Sequence, residues 1–375
     1  MPKFRTSPYA PQSSRHTGRL SPLALSGVNP GALAAHIHVP ANRAERPALV
    51  VVLHGCTQTA AGYDHGAGWS TLADAHGFVL LFPEQQRGNN ANLCFNWFEP
   101  GDIARGKGEV ESIREMIVQV VAEQDVDPAR IFITGLSAGG AMANVMLAAH
   151  PELFAAGAII AGLPYGFASS VPEALDRMRS GPGATDAVLA ARVRDASGHR
   201  GTWPRLSIWH GDADRTVNAV NADAIVRQWT ALHGLPPAPT RKETVAGHPR
   251  RVWVGNDGTE LIEDHLIAGM GHGTPLAPGE GEDRCGVAGA YMLDVGISSS
   301  HAIARFWGIL DGAPAARTAE AEPRVASAER LPARATATVP PRRMEVIGRK
   351  RPVPSPVTGV QGIIEDALRS AGLMK

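Results

Sequence analysis

The chain has 375 residues, 44% of them hydrophobic, and its 36 basic and 36 acidic side chains give a formal net charge of zero. That balance argues against nucleic acid as a partner, and no apolar run is long enough to span a bilayer. Three cysteines with no C-x-x-C pair or zinc-spaced His/Cys cluster argue against a disulfide scaffold and a structural metal. The length suits one large α/β domain with a tail, or two modest domains.

The two ends of the chain differ in composition from its middle. Residues 1–30 are rich in Ser, Pro, Arg and Thr, which predicts a flexible N-terminal arm. Residues 1–19 lack the apolar stretch of a secretory signal, so a cytoplasmic location is expected. An Ala-, Pro- and Arg-rich stretch predicts a disordered linker over 312–356, followed by a short C-terminal helix over 357–375. The folded domain is therefore predicted over 31–311.

Within that domain, apolar runs alternate with helical patterns. Strands are predicted at 34–39, 47–53, 78–82, 131–134, 155–161 and 206–210, helices at 69–76, 109–123, 141–150, 217–233 and 298–310, and a hairpin at 252–267. This alternation predicts an α/β fold with a mostly parallel central sheet flanked by helices. Residues 163–204 depart from the alternation and contain two short helical patterns. They form either a small cap over a site or a solvated pair of helices.

One strand-to-helix junction carries a candidate nucleophile. The run Ile131–Thr134 leads into Gly135-x-Ser137-x-Gly139, and a helical stretch follows directly. A serine on such a turn projects its hydroxyl, and the following helix start offers unpaired N–H groups to a developing oxyanion. The motif alone is weak, so its strand–turn–helix context carries the prediction of Ser137 as nucleophile.

Two further strand ends carry polar residues that suit a base and an acid. His272 lies between glycines after the hairpin strand, and Asp214 follows the strand that ends at His210. Sites in parallel sheets lie at the carboxyl ends of strands, and the order Ser, Asp, His is that of α/β-hydrolase triads. We therefore predict His272 as the base and Asp214 as its carboxylate partner. Asp212 is the alternative acid, although it is placed to brace the turn beside Gly211.

An oxyanion hole requires two N–H groups that converge on one point. One is predicted from the backbone of Ala138, directly after the nucleophile. The other is predicted from the backbone of Cys56, in the loop after an earlier strand, where Gly55 permits the turn. His54, in the same loop, is an alternative catalytic base.

Five blocks of this sequence together resemble the polyhydroxybutyrate depolymerase family of esterases. The blocks are His54-Gly-Cys-Thr-Gln-Thr59, Cys94-Phe-Asn-Trp-Phe98, Gly135-Leu-Ser-Ala-Gly-Gly140, His210-Gly-Asp-Ala-Asp214 and Gly269-Met-Gly-His-Gly-Thr274. They span about residues 30–311 in the family's order. The resemblance implies an eight-stranded α/β-hydrolase fold and cofactor-independent hydrolysis of 3-hydroxyalkanoate esters through an acyl-enzyme. It supports the same triad and the same two oxyanion donors.

The resemblance leaves the substrate and the compartment open. Similar sequences include feruloyl and acetylxylan esterases, and a non-catalytic binding protein with this fold is a further alternative. The family's secreted polymer-degrading members carry a signal peptide and a separate substrate-binding domain. Neither is evident here, which favours oligomers, small esters or amorphous granules as substrates. An extracellular location is the alternative to the cytoplasm, because many members of the family are secreted.

The block from Cys94 to Phe98 is expected to border the site. Asn96, Trp97 and Phe98 are candidates for an ester-binding subsite, and simple packing of the loop is the alternative. The resemblance also suggests a disulfide between Cys56 and Cys94, which is unusual for a reducing cytosol.

Overall fold

The computed structural model describes residues 18–310, and most of its strands form one ten-stranded sheet. The strands are β1 (Ser21–Pro22), β2 (Ala34–His38), β3 (Leu49–Leu53), β4 (Val79–Glu84), β5 (Ile131–Leu136), β6 (Ala156–Ile160), β7 (Arg205–Gly211), β8 (Arg241–Val245), β9 (His248–Val254) and β10 (Glu260–Ile267). Their order is β1-β2-β4-β3-β5-β6-β7-β10-β9-β8. Pairing is parallel from β4 through to β10 and antiparallel toward both edges. The predicted mostly parallel sheet is confirmed, with ten strands rather than eight.

Helices cover both faces of this sheet. They are α1 (Ala60–Ala67), α2 (Trp69–His76), α3 (Pro100–Ile103), α4 (Gly108–Gln124), α5 (Ala138–Ala149), α6 (Val171–Ser180), α7 (Asp186–Ser197), α8 (Val220–His233) and α9 (Ser299–Trp307), and a small second sheet pairs β11 (Thr274–Leu276) with β12 (Met292–Asp294). Alternate residues of β3 face opposite layers. Val51 packs in a core with α4, α5, α7 and α8, whereas Val50 and Val52 pack with α1, α2 and α9. Burial on both faces explains why this strand is apolar throughout.

Part of the predicted N-terminal arm belongs to the folded domain, so the prediction of flexibility is wrong for residues 18–30. β1 pairs with β2, the Leu23 N–H donates to the Ala35 carbonyl (2.9 Å), and the Ser26 N–H donates to the Gln119 side chain (3.0 Å). These contacts are mostly backbone hydrogen bonds at a sheet edge. Because any residue type can make them, they produce no apolar periodicity in the sequence. The predicted linker (312–356) and C-terminal helix (357–375) lie outside the described residues.

The insertion at 163–204 packs onto the helical layer rather than standing free in solvent. One face of α7, carrying Leu189 and Val193, is buried against α5 and α8. The end of α6 contacts the segment that follows Asp214, since the Met178 carbonyl accepts a hydrogen bond from the Asn218 N–H (2.7 Å). The insertion therefore touches the acid-bearing loop, and its role as a cap stays a prediction. No helix within residues 18–310 is long and apolar enough to cross a membrane.

Candidate active site

Ser137 occupies a strained turn between β5 and α5. Its backbone has φ 57° and ψ −118°, a conformation that non-glycine residues rarely adopt outside functional sites. The two glycines of the motif are required by close contact. A Cβ on Gly139 would lie 2.4 Å from the Leu53 carbonyl oxygen, and one on Gly135 would lie 2.4 Å from the Gly139 carbonyl. The Ser137 N–H donates to the Ile160 carbonyl (2.8 Å), which fixes the turn to β6.

The three predicted triad side chains form a continuous hydrogen-bonded chain. The Ser137 Oγ lies 2.9 Å from Nε2 of His272, and His272 Nδ1 lies 2.7 Å from Oδ2 of Asp214. The other carboxylate oxygen of Asp214 accepts hydrogen bonds from the backbone N–H groups of Thr216 (2.8 Å) and Val217 (2.9 Å). Both oxygens of the acid are thus occupied. This geometry suits proton transfer from serine to histidine with the imidazole held by the carboxylate.

A second histidine contacts the same carboxylate. His210 is fully buried, its Nε2 donates to the Val217 carbonyl (2.8 Å), and the same nitrogen lies 3.4 Å from Asp214 Oδ2. Burial by itself raises the pKa of Asp214, but hydrogen bonds from His210 and His272 outweigh it and hold that pKa well below its usual range. The acid is therefore ionised at neutral pH.

Asp212, the alternative acid, has a different task. Its Oδ1 accepts a hydrogen bond from the Gly269 N–H (2.7 Å), which ties the turn after β7 to the segment after β10. The two segments approach closely, because a Cβ on Gly211 would lie 2.1 Å from the Met270 carbonyl oxygen. Asp212 thus braces the turn, while Asp214 reaches the imidazole.

The two predicted oxyanion donors flank the junction of β3 and β5. No hydrogen bond within residues 18–310 uses the backbone N–H of Cys56 or of Ala138. The register pairs Leu53 with Gly135, so the loop after β3 begins beside the nucleophile turn. A disulfide joins Cys56 to Cys94, as the resemblance suggests. Both N–H groups are therefore free to serve an oxyanion, and that role stays a prediction.

His54 braces the oxyanion loop and does not reach the triad. Its Nδ1 donates to the Gly55 carbonyl (2.8 Å), and its Nε2 accepts from the Gln85 N–H (3.1 Å). The residue is buried, and burial lowers its pKa, so the ring is neutral. Because both ring nitrogens are engaged with backbone groups, this geometry contradicts the alternative in which His54 is the catalytic base.

The loop carrying the predicted substrate-binding residues is held mainly by its own contacts. The Asn96 side chain donates to Asp102 Oδ2 and accepts from Asn90 Nδ2, both at 3.0 Å. Trp97 is 9% exposed and packs edge to face with Phe98, with ring centroids 5.2 Å apart. The structure thus favours loop packing for Asn96, and a substrate contact by Trp97 or Phe98 stays a prediction.

Comparisons with known proteins identify relatives of this chain. The family model described as esterase PHB depolymerase matches residues 33–250. The chain belongs to this family. It is 46% identical over 299 residues to poly(3-hydroxyalkanoate) depolymerase C of Paucimonas lemoignei, which covers 80% of this chain and 72% of that enzyme. The family predicted from the sequence is therefore confirmed.

Relatives of this PHB depolymerase family esterase also include acetylxylan esterases. An acetylxylan esterase of Coprinopsis cinerea is 34% identical, with 72% of each chain covered. The solved acetyl xylan esterase of Aspergillus awamori superposes with a TM-score of 0.63 at 28% identity, covering 68% of this chain and 94% of that one. The chain is thus a carboxylic ester hydrolase of the α/β-hydrolase superfamily. A non-catalytic binding protein is not supported.

The esterase contains one organising residue that the sequence did not suggest. Glu109 is fully buried, and its carboxylate accepts hydrogen bonds from Gln85 Nε2 (2.6 Å), Asn89 Nδ2 (3.3 Å) and the Asn96 N–H (2.9 Å). Burial raises its pKa to about 8. In the sequence, Glu109 is only the first residue of the helix predicted over 109–123. Within residues 18–310, no group of three or more His, Cys, Asp or Glu side chains could hold a metal ion.

Proposed function

We propose that this esterase hydrolyses esters of 3-hydroxyalkanoates through a covalent acyl-enzyme on Ser137. The observation that carries the proposal is the hydrogen-bonded chain from Ser137 Oγ through His272 to Asp214. The substrate class is supported by the 46% identity to the depolymerase of Paucimonas lemoignei.

The reaction has two halves that use the same histidine. In the first, His272 Nε2 accepts the proton of Ser137 as Oγ bonds to the ester carbonyl carbon, and the oxyanion is held by the N–H groups of Cys56 and Ala138. The intermediate then breaks its bond to the alcohol oxygen, which takes the proton from His272. In the second half, water attacks the acyl-enzyme, gives its proton to His272 and releases the acid and free serine. Asp214 stabilises the imidazolium in both halves.

A second substrate class keeps the same mechanism. The similarity to acetylxylan esterases and to a feruloyl esterase supports hydrolysis of plant-wall acyl esters, including acetyl and feruloyl esters, as the alternative. Because both substrate classes can be hydrolysed with the same fold and triad, these two features do not show which class the enzyme uses. The discriminating measurement is release of 3-hydroxybutyrate from its oligomers, compared with release of acetate from acetylated xylan and of ferulate from methyl ferulate. A preference of at least tenfold in kcat/KM for the oligomers supports our proposal, and the reverse preference favours the alternative.

The role of Ser137 is tested separately from the substrate. A fluorophosphonate probe should label the wild-type enzyme at one residue and should not label Ser137→Ala. The variant should also lose hydrolysis of every ester tested while keeping the melting temperature of the wild type. Equal labelling of the two proteins would place the nucleophile elsewhere.

We also propose that the protein works in an oxidising compartment, which favours the extracellular location over the cytoplasmic one. The Cys56–Cys94 disulfide supports this, because disulfides persist in oxidising environments and are rare in the cytosol. Thiol titration of the denatured, unreduced protein should find one free thiol, that of Cys285. Three free thiols would contradict the proposal.

A further inference from the structure

Tyr291 contacts the ring of the predicted catalytic base. The centroids of the Tyr291 and His272 rings are 6.3 Å apart, and the ring planes meet at 78°, an edge-to-face arrangement. The tyrosine is partly exposed, and its hydroxyl makes no hydrogen bond to any group of residues 18–310. One side of the histidine is therefore covered by an aromatic ring that also faces solvent.

The backbone holds this ring in a fixed place. Tyr291 has φ 61°, a left-handed conformation that is strained for a bulky side chain. Its carbonyl accepts a hydrogen bond from the Thr274 N–H (2.8 Å), and the adjacent Met292 pairs with Thr274 between β12 and β11. A Cβ on Gly273 would lie 2.8 Å from the Tyr291 carbonyl oxygen. The residue after the base is thus a glycine because Tyr291 must approach it closely.

The surface beside Tyr291 is apolar. Residues 287–290, Val-Ala-Gly-Ala, are exposed and carry no charge, and the side chain of Val287 is 47% exposed. This segment is anchored by a hydrogen bond from the Val287 N–H to the Gly66 carbonyl (2.9 Å), at the end of α1. The four residues that precede Tyr291 in the chain are therefore exposed and uncharged.

We propose that Tyr291 lines the subsite for the alcohol portion of the ester and makes the enzyme prefer apolar alcohols. In the proposed mechanism, the proton on His272 passes to the departing alcohol oxygen, so the alcohol lies on the histidine side of the serine. Tyr291 is the aromatic residue that contacts His272. Its free face and the apolar residues 287–290 suit the alkyl chain of a hydroxyalkanoate unit. The inference rests on the proposed function, because it assigns a part of the same site.

The test compares two series of esters that differ on opposite sides of the ester bond. The alcohol series is methyl, butyl and hexyl acetate, and the acyl series is p-nitrophenyl acetate, butyrate and hexanoate. In Tyr291→Ala, the ratio of kcat/KM for hexyl over methyl acetate should fall about tenfold, because an aromatic contact with the longer chain is lost. The hexanoate-to-acetate ratio should stay at the wild-type value. Tyr291→Phe should keep both ratios, since the hydroxyl has no partner.

Phe306→Ala is the matched control, because it removes a partly buried aromatic ring at the opposite end of the domain. The Phe306 ring packs under the guanidinium of Arg205, at the start of β7, whereas the site lies at the end of that strand. The control should change neither ratio. An equal loss of kcat/KM on all esters in Tyr291→Ala would show that Tyr291 only steadies His272 and would overturn the inference. A change in the acyl ratio, or no change at all, would also overturn it. If Ser137→Ala stays active, the proposed function fails independently of Tyr291.

Discussion

Asp214→Asn is expected to abolish most of the activity by fixing His272 in the wrong tautomer. The backbone N–H groups of Thr216 and Val217 both donate to one carboxylate oxygen, so the amide oxygen of the new asparagine must take that position. Its NH₂ group then faces His272 Nδ1, which in the wild type lies 2.7 Å from Asp214 Oδ2. A donor there forces the imidazole to carry its proton on Nε2, where it cannot accept the proton of Ser137.

The expected loss of kcat is large, and a variant of the neighbouring Asp212 provides the control. The same change in serine proteases lowers kcat about 10⁴-fold, which corresponds to about 5 kcal/mol of transition-state stabilisation. We expect a loss of this order in kcat on p-nitrophenyl acetate, with KM changed less than threefold. Asp212→Asn, two residues away, should stay within tenfold of the wild type, since Asp212 only accepts a bond from the Gly269 N–H. A larger loss in Asp212→Asn than in Asp214→Asn would refute the assignment of the acid.

Two further expectations concern the loops around the site. Replacing Cys56 and Cys94 by alanine removes a cross-link between residues 38 apart, so stability should fall by about 3–4 kcal/mol and Tm by about 6 °C. Calorimetry with and without dithiothreitol measures both, and a variant still sensitive to the reductant would contradict this. Burial raises the pKa of Glu109 from 4.5 to about 8, so between these pH values folding is accompanied by protonation of its carboxylate. The stability that this group contributes is therefore fully present below pH 4.5 and is lost as pH rises through 8. In urea unfolding, the stability advantage of wild type over Glu109→Gln should therefore shrink by roughly 3 kcal/mol from pH 5 to 8, and parallel pH curves would exclude this role.

Much of the fold could be predicted because its signals are local. The run from Leu49 to Leu53 is apolar at every position, which is what burial on both faces of a parallel sheet requires. The tight turn at Ser137 was predictable because its flanking glycines, Gly135 and Gly139, mark a backbone that leaves no room for a side chain. The strand ends that precede Asp214 and His272 could be predicted because polar residues follow apolar runs there.

Other elements left little trace in the sequence. α1 contains two glycines, and it forms where Thr59 caps its first turn and Tyr63 is buried beneath it. β8 is a mostly exposed edge strand, Arg-Lys-Glu-Thr-Val, that is defined by pairing with β9 rather than by apolar alternation. The network around Glu109 joins residues 13 and 24 positions away, so only the folded chain brings its donors together.

The placement of the base has a practical consequence for shortened versions of the protein. The family match ends at residue 250, within β9 and before β10 begins, whereas His272 lies beyond β10 and is followed by the β11–β12 pair and α9. The α9 residue Ser299 donates to the Pro275 carbonyl (2.9 Å), and Ser300 donates to the Ala67 carbonyl (2.8 Å). A recombinant fragment cut to the family boundary would keep Ser137 and Asp214 but lose His272, the proposed proton acceptor. A fragment expected to turn over substrate therefore has to include α9 and the buried Ile309 that follows it.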